Sequence, residues 1–401
     1  VAAVIAWVRG LRDPSRRERL ADRFGRPQLT LTQPVLWLHA ASMGEVQAGA
    51  VLVRQLLVRY PRHQIVMTTM TTTGAARVKA LFPERVTHCY LPYDVPFAVR
   101  GFLDRAQPQL AVILETELWP NLLRACRRRG IAIVIASARI SPRTANRYRR
   151  LASVFREVLA DGVTIAAQTA ADAERFKAIG AVNVSVTGNI KFDIAIPEQV
   201  RSAGAELRQQ FGNRFAWVAG STHAGEEVAV IEAHRRLLAS RSDALLVLVP
   251  RHPQRFDEVR GLLSKSGLPF ATRSSGAVIT NAVSILLVDT MGELLGFYAA
   301  ADLVFVGGSL VPVGGHNLLE PAALGVATLC GQYMSSARDV ANLLTERGAV
   351  LQVSSPEQLG DAVLRLANDS GAREELGKRG RDAVIDNRGA LVRTLDLIAV
   401  L

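Results

Sequence analysis

The chain has 401 residues, enough for two domains of ordinary size, and its 49% hydrophobic content supports packed cores. Three widely spaced cysteines (Cys89, Cys126, Cys330) argue against a disulfide framework or a cysteine metal site and fit a reducing compartment. The net charge of +12 favours anionic partners, but with dispersed arginines, 6% aromatics and no zinc-finger, RNP or basic-zipper pattern, nucleic acid is disfavoured among them.

The first eight residues, VAAVIAWV, are apolar but too short to span about 30 Å of hydrocarbon. Residues 1–26 carry seven arginines against three acidic residues, a net of +4. An apolar start followed by basic residues suits an anionic membrane surface; an ordinary amphipathic first helix is the alternative. The chain begins at Val1, which leaves room for a longer anchor ahead of it.

Residues 35–40 read as a buried strand, followed by ASMGE and a helix in which Val46, Ala50, Val53 and Leu57 recur at helical spacing. Ser42 and Glu45 form an S-x-x-E pair, which reads as a capping box. The alternative makes Glu45 a general base, because ligands bind α/β folds at the carboxyl edge of a parallel sheet. Strand 64–69 and its helix repeat the unit, and RVTHCYLPYD gives a further strand. The next strand ends at Glu115 or Glu117, which share a face if the strand continues. A strand with Arg139 in its turn then precedes a basic helix, where Arg143, Arg147 and Arg150 share one face, either solvated or turned to an acidic acceptor. Two more strands follow, the second ending with Lys191 in a polar turn, able to meet a phosphate or a carboxylate.

Residues 194–213 show no clear strand and read as the interdomain linker. Beyond it come strands at 215–220, 244–249, 282–289, 303–306 and 326–331, alternating with helices. Both halves therefore read as Rossmann-like parallel sheets, with a ligand site expected in a cleft between them. Gly220, Ser221 and Thr222 precede a helix expected from about 224, and can offer N–H and hydroxyl donors to phosphate. Arg251 and His252 sit at a strand end, where a guanidinium fits phosphate or carboxylate. Met291 and Gly292 mark a turn whose backbone could read a base. His223, His252 and His316 lie far apart in sequence, without H-E-x-x-H or facial-triad spacing, so no metal is assigned. Residues 303–331 read as strand, glycine-rich loop, helix and strand. Gly307-Gly308, Ser309 and Gly314-Gly315 let backbone amides approach an anion, and a helix is expected from His316 or Asn317. Glu320 lies one turn on, within reach of ribose hydroxyls. The pattern is neither a P-loop nor a dinucleotide fingerprint, and a purely steric glycine connection is the alternative.

Taken together, HAASMGE (39–45), MTTMTTTG (67–74), YLPYD (90–94), ETELWPN (115–121), ARIS (138–141), VTGNIKFD (186–193), STHAGEE (221–227), VPRHPQRF (249–256), DTMGEL (289–294) and GGSLVPVGGHNLLEPAALG (307–325) resemble the 3-deoxy-D-manno-octulosonic acid (Kdo) transferases of lipopolysaccharide assembly. The resemblance covers almost the whole chain; its departures are conservative, such as Ala40-Ala41 ahead of Ser42. It implies an α/β GT-B fold: an acceptor domain over 1–193, a linker over 194–213, and a donor domain over 214–401 whose last helix is a candidate to return to the first. It also implies an inverting, metal-independent transfer from CMP-Kdo to the tetraacyl disaccharide bisphosphate precursor of lipid A. The place implied is the cytoplasmic face of the inner membrane, with no cofactor beyond the donor. On that reading Glu45 is the base, and Ser42, Gly44, Glu115, Glu117 and Arg139 lie on the acceptor side. Lys191, Gly220, Ser221, Thr222, His252, Gly308, Ser309, Gly314 and Gly315 fall to the donor side. There Arg251 and the helix starts near Ser221 and His316 meet the leaving phosphate, Asn317 and Glu320 hold ribose and cytidine, and Met291-Gly292 lie against cytosine. A nucleotide-sugar 2-epimerase of the same fold, or a non-enzymatic nucleotide- or polyanion-binding module, is the alternative.

Overall fold

The structure, a computed structural model, describes residues 19–160 and 162–400. It divides into two compact units, one running to Asp193 and completed by the segment from Asn387, the other Ile194–Asp386. The apolar start of the chain lies outside the described residues. In the part that is described, Asp22 and Arg23 are buried and Arg23 packs over the Tyr90 ring, 4.3 Å from its centroid.

The first unit holds β1 (Val35–His39), β2 (Gln64–Thr69), β3 (Val86–Tyr90), β4 (Pro108–Leu114), β5 (Ala132–Ala138), β6 (Val163–Ala167) and β7 (Asn183–Val186). They form one sheet in the order β3-β2-β1-β4-β5-β6-β7, parallel at every pairing. Strands covered on both faces need continuous apolar runs, and all five residues of β1 are buried. One face packs Trp37 and Ile133 against Phe102, Leu122, Phe155 and Phe176. The other packs Leu38 and Val134 against Leu52 and Leu56 of the helix Met43–Arg59, and against Leu395 and Ile398 of the helix Ala390–Ala399. The Asp193 carboxylate pins that returning helix by accepting the Gly389 and Leu391 amides, each at 2.7 Å.

The second unit holds β8 (Ala216–Thr222), β9 (Leu245–Pro250), β10 (Phe270–Thr272), β11 (Ile285–Leu287), β12 (Leu303–Val306), β13 (Ala327–Gly331) and β14 (Leu351–Val353), in the order β10-β11-β9-β8-β12-β13-β14, again parallel throughout. The edge strands β10 and β14 were not expected. Each has three residues and incomplete burial, so neither carries the apolar run that marks a central strand. β11 is also shorter than the expected 282–289. The expected linker is corrected: most of it is a helix, Glu198–Phe211, belonging to the second unit. Gly204, Leu207 and Phe211 form its buried stripe, and the place of a Cβ on Gly204 lies 2.5 Å from the Ala299 Cβ. That stripe is helical amphipathicity, which a search for strands passes over.

The strand order reverses between β1 and β4 in the first sheet and between β8 and β12 in the second, where β11 is also inserted between β10 and β9. Parallel sheets open a crevice at such a point, outside the carboxyl ends of the strands. Glu45 and Glu115 follow β1 and β4, and His223 and His316 follow β8 and β12.

Candidate active site

In the first unit, β1 ends at His39 and the helix Met43–Arg59 starts with Ser42 as its cap. Glu45 turns back over that start. Its Oε2 accepts the Ala41 amide at 2.8 Å and its Oε1 accepts the Ser42 hydroxyl at 3.0 Å, while the Ser42 hydroxyl accepts the Glu45 amide at 3.4 Å. The capping box is thus shifted by one residue: the carboxylate meets the Ala41 amide, not that of Ser42. The Glu45 carboxyl lines a small cavity with Gly49, Leu114, Glu115, Ser137, Asn189 and Lys191. Gly44 is exposed on the first turn.

β4 stops at Leu114, and Glu115 adopts φ +61°, a left-handed conformation uncommon for any residue other than glycine. The kink means that Glu115 and Glu117 do not share the face of a continuing strand, correcting the alternation argument. The Glu115 carboxylate is held by Lys191 Nζ at 2.6 Å and Arg139 Nε at 3.1 Å. Lys191, carried by the 3-10 turn Ile190–Phe192 and capped by Asn189, thus meets a carboxylate within the first unit.

These contacts separate the two carboxyls. Burial pushes Glu45 up, the neighbouring Glu115 charge adds to it, and the Ala41 and Ser42 bonds only partly oppose them, giving a pKa of about 7. Burial acts on Glu115 in the same direction, but Lys191 and Arg139 outweigh it and hold that group below its ordinary value. Burial also raises Glu117. One carboxyl poised near neutrality beside another kept ionised is an arrangement suited to proton abstraction. Arg143, Arg147 and Arg150 are exposed, at and just beyond the helix Pro142–Arg149.

In the second unit, β8 continues through Thr222, so Gly220, Ser221 and Thr222 form a strand end and not an open loop. Gly220 is obligatory there: a Cβ would lie 2.2 Å from the Tyr298 hydroxyl oxygen. Ser221 is left-handed at φ +57°, and the Thr222 side chain is fully buried. The helix begins at Glu226, which the sequence reading did not single out. This buried carboxylate accepts four backbone amides: His223 at 2.9 Å and Gly308 at 2.7 Å on Oε2, and Ser309 and Leu310 at 2.9 Å on Oε1. Its only sequence signal was position, the first of two glutamates opening a helix.

Glu226 corrects the role expected for the glycine-rich loop. The Gly308 and Ser309 amides serve this internal carboxylate and so do not present themselves to a ligand. The Ser309 hydroxyl accepts the Gly331 amide at 2.7 Å, another internal bond. Gly314 and Gly315, at φ +115° and +74°, let the loop fold against Tyr333–Ser336; a Cβ on Gly315 would lie 2.2 Å from the Met334 sulfur. The helix after the loop starts at Leu319 and has six residues, later and shorter than expected. Asn317 instead accepts the Leu319 amide through Oδ1 at 3.0 Å.

The three histidines that looked scattered come together. His223 Nε2 and His316 Nε2 are 2.8 Å apart, and the His252 ring meets the His223 ring edge-on with centroids 5.2 Å apart. Burial, then His223, Arg251 and His252, lower His316 to about 4; burial, then His252 and nearby arginines, lower His223. Among the described residues no group of three or more His, Cys, Asp or Glu is arranged to hold a metal ion. Burial raises the Glu320 carboxyl, opposed by Asn317 and by the Arg251 charge. Met291 and Gly292 are exposed in the turn before the helix Leu294–Ala300.

The family model of 3-deoxy-D-manno-octulosonic-acid transferases (kdotransferase) matches residues 18–194, and that of glycosyl transferases group 1 matches residues 229–383. A 3-deoxy-D-manno-octulosonic acid transferase of Haemophilus influenzae is 40% identical over 97% of this chain and 92% of its own length. One of Bordetella pertussis is 36% identical over 98% and 94%. Among solved structures, a UDP-GlcNAc 2-epimerase from Neisseria meningitidis bound to UDP-GlcNAc is 14% identical, covers 90% of this chain and 99% of its own, and superposes with a TM-score of 0.57. At that identity the likeness is one of fold alone.

Proposed function

The chain belongs to the 3-deoxy-D-manno-octulosonic acid transferase family, and from that premise we propose how its residues divide the reaction. It is a GT-B glycosyltransferase that transfers Kdo to the lipid A precursor. CMP-Kdo is the donor, bound by the second unit, and the tetraacyl disaccharide bisphosphate is the acceptor, bound by the first.

The observation that carries this division is Glu45, a carboxyl near pKa 7 at the strand-order reversal of the first sheet. A base tuned close to ambient pH is both largely deprotonated and able to take a proton. Glu45 removes the proton of the acceptor hydroxyl as its oxygen bonds to the anomeric carbon of Kdo. The bond from that carbon to the phosphate oxygen breaks with inversion, and its electron pair leaves on cytidine monophosphate. Lys191 and Arg139 keep Glu115 ionised, and they offer cationic partners to the acid groups of the substrates. In the second unit Arg251 faces the leaving phosphate, and Glu320, with Asn317 beside it, holds the ribose.

The test mixes purified protein with CMP-Kdo and the lipid A precursor and follows CMP release. Release that depends on both substrates is expected; release with CMP-Kdo alone at the same rate would remove the acceptor from the scheme.

Placement at the anionic cytoplasmic face of the inner membrane is supported by the +4 charge of residues 1–26. Among the described residues no helix is long and apolar enough to cross a membrane. Co-sedimentation with anionic liposomes should weaken as salt rises from about 0.1 M to 1 M, which shortens screening from about 10 Å to 3 Å. Equal binding to neutral liposomes would rule out the electrostatic contribution.

A further inference from the structure

We propose that Ser137 is a positioning residue for the transfer: its hydroxyl fixes the turn that carries Lys191 onto Glu115, beside the base, a role that rests on the reading of Glu45 above. Ser137 lies near the end of β5, is 5% exposed and adopts φ +49°. The left-handed region is uncommon for residues other than glycine, and a residue stays there only where its surroundings hold it. The pairing of β5 with β6 shifts register between Ile135 and Ala138, which bracket it. Ser137 lines the same small cavity as Glu45, Glu115 and Lys191.

Two adjacent residues of β5 hold the two ends of one ion pair. The Ala136 carbonyl accepts the Glu115 amide at 2.9 Å, and the Ser137 hydroxyl oxygen accepts the Ile190 amide at 3.0 Å. The Ser137 carbonyl is tied to the same turn by a second route: it accepts Gln168 Nε2 at 3.0 Å, and Gln168 Oε1 accepts Asn189 Nδ2 at 3.3 Å. Asn189 in turn accepts the Lys191 amide. The turn Ile190–Phe192 has three residues, so fixing its first amide and its cap leaves only the Lys191 side chain to reach Glu115 Oε1, at 2.6 Å. Ile190 is 3% exposed; without the Ser137 oxygen its amide loses that acceptor in a buried place, and the turn must move to recover one. Glu45 faces Glu115 and Glu117, Glu115 faces Lys191 and Arg139, and Glu117 is bonded to Trp119. With Lys191 withdrawn, Arg139 still keeps Glu115 ionised, and the less compensated Glu115 charge makes Glu45 harder to ionise.

The experiment measures turnover of the full chain at saturating CMP-Kdo and lipid A precursor from about pH 5.5 to 9, beside a thermal melt of each variant. Ser137→Ala removes the hydroxyl oxygen. Ser137→Gly removes it too, but suits a positive φ. Ser137→Asn keeps an accepting oxygen and tolerates the left-handed region, and the cavity beside it gives room for the longer side chain. Ser137→Ala and Ser137→Gly should each lower turnover about tenfold at pH 7 and move its rise with pH upward by about half a unit or more, whatever their melts. Ser137→Asn should recover most of both. Lys191→Met should move the rise in the same direction, and adding Ser137→Gly to it should change little more, because both act through one ion pair. Normal turnover with an unmoved rise in Ser137→Gly, no recovery in Ser137→Asn, or fully additive losses in the double variant overturns the positioning role and leaves the base standing. Near-normal turnover in Glu45→Gln removes the base, and the role of Ser137 with it.

Discussion

Glu45 occupies two roles that are usually alternatives. It closes the start of a helix through Ala41 and Ser42, and it is a half-buried acid whose charge is opposed by partial burial and by Glu115. Turnover should rise with pH through about 7 and level off above it, as the base loses its proton. Glu45→Gln should lower turnover by roughly 10²–10⁴. The stability effect has the opposite sign. Between its ordinary value of 4.5 and about 7 the folded chain binds more protons at this site than the unfolded one, so stability falls as pH rises across that window. Glu45→Gln should therefore be more stable than the unsubstituted chain at pH 8, by on the order of 1 kcal/mol once the loss of one charged acceptor is set against the gain, with little difference at pH 4. Kinetics and thermal melts on the same variant check both signs; near-normal turnover would pass the base role to Glu115 or Glu117.

Among the elements, the glycine-rich loop of the second unit owes its shape to a side chain more than eighty positions away. Glu226 supplies acceptors to Gly308, Ser309 and Leu310 while also closing its own helix through His223. A carboxylate suits this place because both oxygens accept and neither donates. Glu226→Gln keeps one accepting oxygen and turns an NH₂ toward amide donors, leaving two of the four bonds unmade. At about 1–3 kcal/mol for each buried donor left without a partner, the loss should be roughly 2–6 kcal/mol. Denaturant unfolding of the second unit measures it, and an unchanged midpoint would mean that the loop holds its shape without the clamp.

For the whole molecule, the chain order and the structural units do not coincide. The last helix, Ala390–Ala399, completes the first unit, burying Leu395 and Ile398. Burial of two such side chains contributes roughly 3–6 kcal/mol, comparable with the lower end of a domain's total stability. Removing residues 387–401 should therefore lower or abolish the unfolding transition of the first unit and leave that of the second in place. Calorimetry of the truncated chain reads the two transitions separately; parallel loss of both would show that their stabilities are coupled.

The strands of the two sheets were legible because a parallel sheet covered on both faces demands unbroken apolar runs, and β1, β4, β5, β8 and β9 have them. Glu45, Arg251, His316 and Glu320 stood out as candidates because they lie just beyond such runs, in motifs whose order matches a family. What escaped was set by contacts between distant segments. β10 and β14 are too short for periodicity to register. The helix Glu198–Phe211 resembled a linker because its apolar stripe is sparse. Which of phosphate or carboxylate Lys191 meets was open in the sequence, and its nitrogen lies 2.6 Å from Glu115. Glu226 carries only a local helix-start signal, yet Gly308, Ser309 and Leu310, whose amides it binds, lie more than eighty residues along the chain, as does His316 from His223. Spacing along a chain reports which face of an element a residue occupies. Which charge is neutralised, which amide is already bound and which two histidines meet depend on loops brought together at the strand-order reversal, and only the tertiary structure decides them.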